Sequence, residues 1–489
     1  MEAFMSDLSA ARAARRKMML ESPIYKVIPV IAVPMVISAL IDSFYNLADT
    51  YFVSQLGTAA TAAVGINNSL MHLIRAVGMG FGMGAASYSS RLLGAKKYDE
   101  ASTVVSTSLF TSIGFITIVS VIVFIFREQA VGIMGATESS RQYSIDYANY
   151  ILLAAPFTVI NVVLSQALRA EGSTSYSMMG LVSGCIVNLV LDPIFITDLG
   201  YGVAGAAIAT AISKVISTIV LLIPYLRHKS LHSIALKYFA PKAQIYYEIA
   251  RMGIPTFLRS SLMAVAFIIT NKFAGGYGDS ALAAVSVCNR VMIFIGSMVM
   301  GLGQGFQPVA GYCYGAKKYR RVRSAFWITS LYGLILCVLL GTGLFVLAPK
   351  IVGMFTSDDA EIISIGTYMV RIQCIVLPFH VWVMVINGIF QAMGRAVNAA
   401  ILGLARQAIC FIPSVIIMNV VFGLQGMIHA QPIADIMSLM IALPMLAGIM
   451  KELNRLALTE TDSAYEEEYS EEIAETERKI EESLSEDAF

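Results

Sequence analysis

The chain has 489 residues, of which 57% are hydrophobic and only 14% are charged, and its formal net charge is +1. Soluble domains carry about 25% charged residues, so this composition excludes a soluble globular protein. The small net charge by itself indicates no partner, and we expect contact with a lipid bilayer and none with nucleic acid.

Long apolar runs follow one another along the chain, and many reach the roughly 20 residues that cross a bilayer as a helix. They predict an all-α membrane protein with twelve transmembrane helices. The predicted spans are 24–54, 60–87, 102–126, 143–167, 175–197, 202–225, 246–274, 280–309, 323–347, 364–390, 396–420 and 424–448.

Basic residues are unevenly distributed between the two sides of these predicted helices. Lys96 and Lys97 follow helix 2, Lys317 and Lys318 follow helix 8, and the returns on the other side carry few Lys or Arg. Basic returns stay in the cytoplasm, so the pattern predicts a multi-pass protein of the cytoplasmic membrane with both termini inside.

The pentapeptide Gly-Ala-Lys-Lys-Tyr occurs at 94–98 and again at 315–319, which is 221 residues later. At the same offset Gly57 meets Gly278 and Pro34 meets Pro255. The chain is therefore one unit used twice, and each unit has six helices. An even number makes both units enter the membrane in the same direction, so we expect two parallel lobes related by a pseudo-two-fold axis along the membrane normal.

This reading divides the chain into five parts. They are an N-terminal cytoplasmic segment (1–23), a first six-helix lobe (24–225), a basic cytoplasmic connector (226–245), a second six-helix lobe (246–450) and an acidic cytoplasmic tail (451–489). A duplicated hydrophobic unit of this kind is common among secondary transporters.

Acidic residues inside predicted membrane helices are functional candidates, because a carboxylate there must face a cavity or a partner. Helix 1 carries Asp42, Asn46 and Asp49 with spacing i, i+4 and i+7, which puts them on one face. Helix 5 carries Asn188 and Asp192, again four residues apart, and Pro193 follows and is expected to loosen the helix.

Three helices place oxygen atoms at one depth. Asp49, Asp192 and Thr210 each lie eight residues from a glycine of an outer turn, which is about 12 Å along a helix. Carboxylate, amide and hydroxyl oxygens suit a hard cation such as Na⁺, and two nearby carboxylates would also share a proton. The second lobe lacks these groups; the equivalent positions are Thr270, Ile409, Pro413 and Gln431.

Four further residues are candidates for a substrate cavity: Asp42, Asn46, Asn68 and Arg75. Asp42 either holds a cationic substrate or pairs with Arg75, and the sequence favours neither. Arg169 and Glu171, between helices 4 and 5, are predicted to form a structural ion pair, and the basic residues of the second lobe are predicted to form interior pairs or snorkel. We find no phosphate-binding loop, zinc-spaced histidines or nucleophile motif, so no enzyme and no cofactor are predicted.

Five segments carry a resemblance to a known family: YNLADTYFVSQLG (45–57), RLLGAKKYDEA (91–101), LRAEGS (168–173), NLVLDPIFI (188–196) and GVAGAAIAT (202–210). Through them residues 20–450 resemble the MATE (multidrug and toxic compound extrusion) transporters, in the bacterial DinF/MepA-like branch. The resemblance implies two lobes around a central cavity, H⁺- or Na⁺-coupled antiport of small drug-like compounds, and a monomer. It also implies a cation site at Asp49, Asn188, Asp192 and Thr210, with the carbonyl of Ala206 nearby.

One departure and two alternatives remain. Related transporters of the NorM-like branch carry an acid in helix 7 after the proline, whereas here Pro255 is followed by Thr256, Phe257, Leu258 and Arg259. A second cation site in the C-terminal lobe is therefore in doubt. The alternatives to antiport are a lipid-linked precursor flippase, for which we expect extra helices and a more basic cavity, and a passive channel.

Overall fold

The computed structural model describes residues 12–134, 138–354 and 360–486, with the backbone alone for residues 461–486. This part of the chain is helical and contains no strand. The long helices are α1 (Ile24–Ser54), α2 (Thr58–Gly94), α3 (Tyr98–Ile125), α4 (Glu138–Ala170), α5 (Thr174–Pro193), α6 (Gly202–Leu226), α7 (Ala243–Gly275), α8 (Asp279–Gly315), α9 (Tyr319–Gly353), α10 (Ala360–Ala392), α11 (Ala396–Leu404, with a π-helical turn Ala405–Phe411) and α12 (within Ile412–Glu486).

A break at Gly423, where the backbone is not helical, separates α11 from α12. Ten helical stretches of the described residues are long and apolar enough to cross a membrane, and the last of them runs through α11 and α12 together. Only α2 falls outside these stretches. The predicted all-α fold with twelve membrane helices is therefore confirmed.

Helix ends differ from the predicted spans where polar residues continue a helix beyond its apolar run. The predicted spans 60–87 and 280–309 extend to Gly94 and Gly315, because each helix ends at its Gly-Ala-Lys-Lys turn. The last predicted span, 424–448, belongs to a helix that continues to Glu486.

The two copies of the repeat share unusual backbone conformations. Lys96 and Lys317 both adopt left-handed backbone, with φ of 63° and 57°, in the turns that follow α2 and α8. Gly57 and Gly278, which precede the same two helices, have φ of 102° and 104°. Non-glycine residues rarely adopt positive φ, so its recurrence at equivalent lysines is strong evidence that the two halves fold alike.

The two lobes touch at the end of the bundle that carries the turns 94–98 and 315–319, here called the basic face. A Cβ added to Gly94 would overlap the carbonyl oxygen of Tyr312, and a Cβ added to Gly315 would overlap that of Arg91. Arg91 and Tyr312 are themselves 221 residues apart. The contact is therefore reciprocal, as a pseudo-two-fold axis between α2 and α8 requires, and it closes the basic face.

Further glycines continue this contact towards the middle of the bundle. A Cβ on Gly84 of α2 would overlap the carbonyl oxygen of Ile249 on α7. On the other seam a Cβ on Gly305 of α8 would lie 2.6 Å from Cα of Ala32 on α1. Backbones that approach this closely need small residues, so the glycines allow the lobes to pack.

Replacing Gly94 or Gly315 by Ala is expected to disturb the closed basic face. Each added methyl meets a backbone carbonyl that cannot rotate away, so we expect a loss of about 1–3 kcal/mol of stability. Gly114→Ala is the matched control, because a Cβ there meets nothing within 4 Å. Thermal unfolding in detergent measures the effect, and equal melting temperatures for all three variants would contradict the proposed contact.

The connector between the lobes is anchored by a buried carboxylate. Glu171, fully buried between α4 and α5, accepts hydrogen bonds at Oε2 from Ser230 Oγ (2.8 Å) and the Leu231 amide (2.6 Å). His232 Nδ1 lies 3.2 Å from the same oxygen, and its Nε2 lies 2.5 Å from Ser89 Oγ on α2. The connector therefore packs onto the first lobe.

The predicted ion pair between Arg169 and Glu171 is wrong. Arg169 Nε instead donates to Ser177 Oγ at 3.2 Å, and its Nη1 donates to the side-chain oxygen of Gln304 on α8. Two residues apart at the end of a helix, the side chains point in different directions. Arg169 thus joins the two lobes, while Glu171 holds the connector.

Two opposing effects act on the pKa of Glu171. Burial alone would raise the pKa of Glu171, but hydrogen bonding and charge from His232, with hydroxyls of Ser173 and Ser230, hold the pKa below its ordinary value. Because the pKa is lower in the folded state than in the unfolded state, the carboxylate stabilises the fold above the unfolded pKa. That contribution is lost as the pH falls through the folded pKa.

Glu171→Gln is therefore expected to destabilise the protein near neutral pH by about 2 kcal/mol, since charged hydrogen bonds contribute more than neutral ones. The loss should shrink as the pH falls below the ordinary pKa of glutamate, and it should vanish once the pH is below the lower folded pKa of Glu171, where the wild-type side chain is also protonated. Glu100→Gln is the control, because Glu100 forms only an exposed pair with Lys97. A pH-independent difference in unfolding between Glu171→Gln and wild type would contradict the account.

Candidate functional site

Three polar residues follow one face of α1. Asn46 Nδ2 donates to the backbone carbonyl of Asp42 at 2.5 Å, one turn earlier. Asp49 lies near the end of the helix, and its Oδ1 is buried without a hydrogen-bond partner among the described residues. The helix thus carries two carboxylates into the first lobe, at two different levels.

The polar pair on α5 is almost completely buried. Asn188 and Asp192 are 1% and 0% exposed, and Asn188 Nδ2 donates to Asp192 Oδ1 at 3.1 Å. Directly after Pro193 the helix widens into the π-helical turn Ile194–Asp198. The predicted loosening at Pro193 is therefore present, and it lies beside the buried acid.

Helix α6 packs tightly against this widened turn. A Cβ added to Gly205 would lie 2.5 Å from the carbonyl oxygen of Phe195, so only glycine permits the approach. The next residue, Ala206, is fully buried, and Thr210 one turn further is 2% exposed. The close contact brings the Thr210 hydroxyl to the part of the lobe that holds Asp192.

Within the described part of the chain, four buried oxygen atoms in this region have no hydrogen-bond partner. They are Asp49 Oδ1, Asn188 Oδ1, Asp192 Oδ2 and Thr210 Oγ1. The charges of Asp49 and Asp192 are close enough to interact, and Tyr45 and Tyr147 lie beside both aspartates and Thr210. An unpaired buried polar group costs about 1–3 kcal/mol, so four together describe a site that a cation would complete.

The four substrate-cavity candidates lie in different surroundings. Asp42 Oδ2 and Arg75 Nη2 form an ion pair of 3.3 Å, with side chains 37% and 54% exposed. Asp42 was expected either to hold a cationic substrate or to pair with Arg75, and in the structure it pairs with Arg75. Asn46 and Asn68 are exposed, whereas the neighbouring Asn67 is buried and binds the carbonyl of Ser144 on α4.

Lys214, which was not among the predicted site residues, lies one turn beyond Thr210 on α6. Its Nζ lies 5.9 Å from the ring centroid of Tyr45, and its charge interacts with Asp42 and Asp49. A lone lysine in the middle of an apolar helix was the available signal, since such residues seldom occur without a partner. Lys214 and Arg75 together offset part of the negative charge of the three aspartates.

Comparison with known proteins adds to this geometry. The family model MatE matches residues 34–194 and 255–424, once in each half of the chain. The chain belongs to the MATE family of transporters. The two regions begin 221 residues apart, which is the offset of the repeat, and the first of them contains both Asp49 and Asp192.

Individual relatives of this MATE transporter cover most of its length. Multidrug export protein MepA of Staphylococcus aureus (strain NCTC 8325 / PS 47) is 31% identical over 416 residues, which is 85% of this chain and 92% of the relative. MepA of Staphylococcus saprophyticus subsp. saprophyticus is 29% identical over the same length.

Solved structures of other MATE proteins share the fold. A crystal structure of MATE in complex with MaL6 superimposes with a TM-score of 0.85 at 26% identity, covering 90% of this chain and 98% of that one. The outward-facing conformation of a multidrug resistance MATE family transporter of the MOP superfamily gives a TM-score of 0.84 at 27% identity, with the same coverage. These likenesses support the two-lobe arrangement.

Two threonines on α6 allow a candidate cation ligand to be compared with a structural hydroxyl. Thr210→Val removes a buried hydroxyl that lies beside Tyr45 and Tyr147, so we expect cation-induced stabilisation to fall because one oxygen ligand is lost. Thr218→Val is the control, since Thr218 Oγ1 donates to the Lys214 carbonyl at 2.8 Å and accepts from Asn161 at 3.1 Å. Thermal unfolding with and without Na⁺, at two pH values, measures the effect. Cation-induced stabilisation of Thr210→Val equal to that of wild type would contradict Thr210 as a ligand.

Proposed function

We propose that this protein is a cation-coupled antiporter that exports small amphipathic or cationic molecules by alternating access. The coupling ion, Na⁺ or H⁺, binds in the first lobe to Asp49, Asn188, Asp192 and Thr210, with the carbonyl of Ala206 nearby. The observation that carries the proposal is that each of the four side chains presents a buried oxygen for which the described residues supply no hydrogen-bond partner.

Cation binding changes the electrostatics of the first lobe. Asp49 and Asp192 repel each other in a medium of low dielectric constant, and a bound Na⁺ or a shared proton relieves that repulsion. Asp42 is already paired with Arg75, so it does not compete for the ion. The coupling ion therefore binds at Asp49 and Asp192.

Transport then requires that the ion and the exported molecule favour different conformations. The ion drives a change only if it binds one conformation better than the other, and the coupling is reciprocal. The lobes are in contact at the basic face, and we propose that the centre is reached from the opposite side. We assign the basic face to the cytoplasm, together with both termini, in accordance with the positive-inside rule.

The class of exported molecule rests on the relatives. The Staphylococcus proteins are named multidrug export proteins, and they align over most of both chains. We therefore propose small drug-like compounds as the substrates of this transporter. The protein would work as a multi-pass protein of the cytoplasmic membrane, and it would need no cofactor beyond the coupling ion.

Inside-out vesicles provide the direct test. Asp49→Asn and Asp192→Asn should each reduce dye uptake driven by an imposed Na⁺ or pH gradient at least tenfold, because an amide neither holds the ion's charge nor exchanges a proton. Asp146→Asn is the control, since Asp146 lies near the start of α4 and accepts a bond from Gln142. Full gradient-driven transport by both site variants would refute the assignment. Dye movement that ignores every gradient would instead indicate a passive channel.

A further inference from the structure

The second lobe carries an arginine without a counter-charge in its interior. Arg259 lies on α7, 16 residues after the helix begins at Ala243, or about 24 Å along its axis. Among the described residues its guanidinium has no hydrogen bond and no ion pair. An arginine near the bilayer centre is costly, and such residues face a cavity or a partner.

The nearest acid is already occupied. Arg406 Nε donates to Asp435 Oδ1 at 2.7 Å, and Gln431 Nε2 donates to the same oxygen at 3.2 Å. Arg259 is close enough to Arg406 for their like charges to interact. The cluster therefore holds two guanidinium groups and one carboxylate, which leaves an excess of one positive charge.

Neighbouring polar groups leave room beside Arg259. A small cavity of about 10 Å³, the space of roughly one water, is lined by Arg259, Thr256, Asn387 and Gln391. The side chain of Arg259 passes Gly403, where an added Cβ would lie 3.6 Å from its Cδ. His380 on α10 interacts with both arginines and Asp435, and its buried Nδ1 has no partner among the described residues.

The repeat makes the contrast between the lobes explicit. At the 221-residue offset Asp435 is the equivalent of Lys214, and Gln431 is the equivalent of Thr210. In the first lobe Asp192 has no ion pair among the described residues, whereas in the second lobe Asp435 is paired with Arg406 and the described residues supply no carboxylate to Arg259. The excess positive charge in the second lobe disfavours a second cation site there and favours the binding of an anion.

We propose that the interior of the second lobe binds a monovalent anion at Arg259, with His380 as a second contact. The anion is either the carboxylate of an exported molecule or a free halide, since both present a single negative charge to the guanidinium fork. The first source rests on the proposed export function. Binding of the anion itself does not, because it requires no gradient and no transport.

A matched pair of dyes tests the site on the purified full-length protein. Rhodamine 110 has a free carboxylate and rhodamine 123 is its methyl ester, so fluorescence polarisation compares the two with one fluorophore. We expect Arg259→Gln to weaken binding of the acid at least tenfold and to leave the ester within twofold, because a charged hydrogen bond is lost only for the acid. Arg259→Lys should recover part of the affinity, since it keeps the charge and loses the fork.

Bromide distinguishes the two sources of the anion. Displacement of rhodamine 110 by bromide in wild type and not in Arg259→Gln supports a site that also accepts a free halide. Arg371→Gln is the control, because Arg371 Nε already donates to the carbonyl of Phe345 at 3.2 Å. Equal affinity of wild type and a folded Arg259→Gln for rhodamine 110 and bromide would overturn the proposal. Failure of gradient-driven transport in vesicles would not affect this result.

Discussion

Polar atoms within a bilayer have no water to bind, so each must find a partner in the protein or hold a ligand. Most of this bundle follows that constraint. Asn161 on α4, for example, donates to the carbonyl of Lys214 and to Thr218 Oγ1, and it accepts from Ser217 Oγ. The oxygens of the candidate cation site break the pattern together. Under the proposed function, a bound cation would satisfy these oxygens, and the free energy of its binding would be available for coupled transport.

The two copies of the repeat share their backbone structure but differ in the polar residues of their interiors. Equivalent glycines, Gly94 and Gly315, bring the lobes together at the basic face, and changing either would disturb a reciprocal contact. The polar interiors have instead diverged: Asp49 and Asp192 of the first lobe have no acidic equivalents in the second, and the second lobe carries Arg259 and the Arg406–Asp435 pair. Packing must be conserved in both copies for the lobes to fit, whereas the polar residues of the interior are free to differ.

Periodicity and apolar length predicted the fold well. Helix α1 has the predicted bounds, and the other helices differ mainly where polar residues lengthen them at the ends. For the candidate site, spacing along α1 and α5 predicted that Asp49 and Asp192 lie near each other, and the structure places their charges close enough to interact. The pairing of Asp42 and the partners of Arg169 did not follow, because a side chain of either residue can reach several helices. Lys214 was missed for the same reason.

The sequence by itself determined the membrane location, the number of helices, the repeat and the candidate ligands, because these depend on local composition and on residue spacing along one helix. Only the tertiary structure decided which polar atoms remain without partners. How separate helices pack decides that Asp435 is paired with Arg406 while Arg259 has no acidic partner among the described residues, and that the Asp49 oxygen is buried without a protein partner there. That packing sums many small contacts between residues far apart in the chain, and no local pattern specifies it.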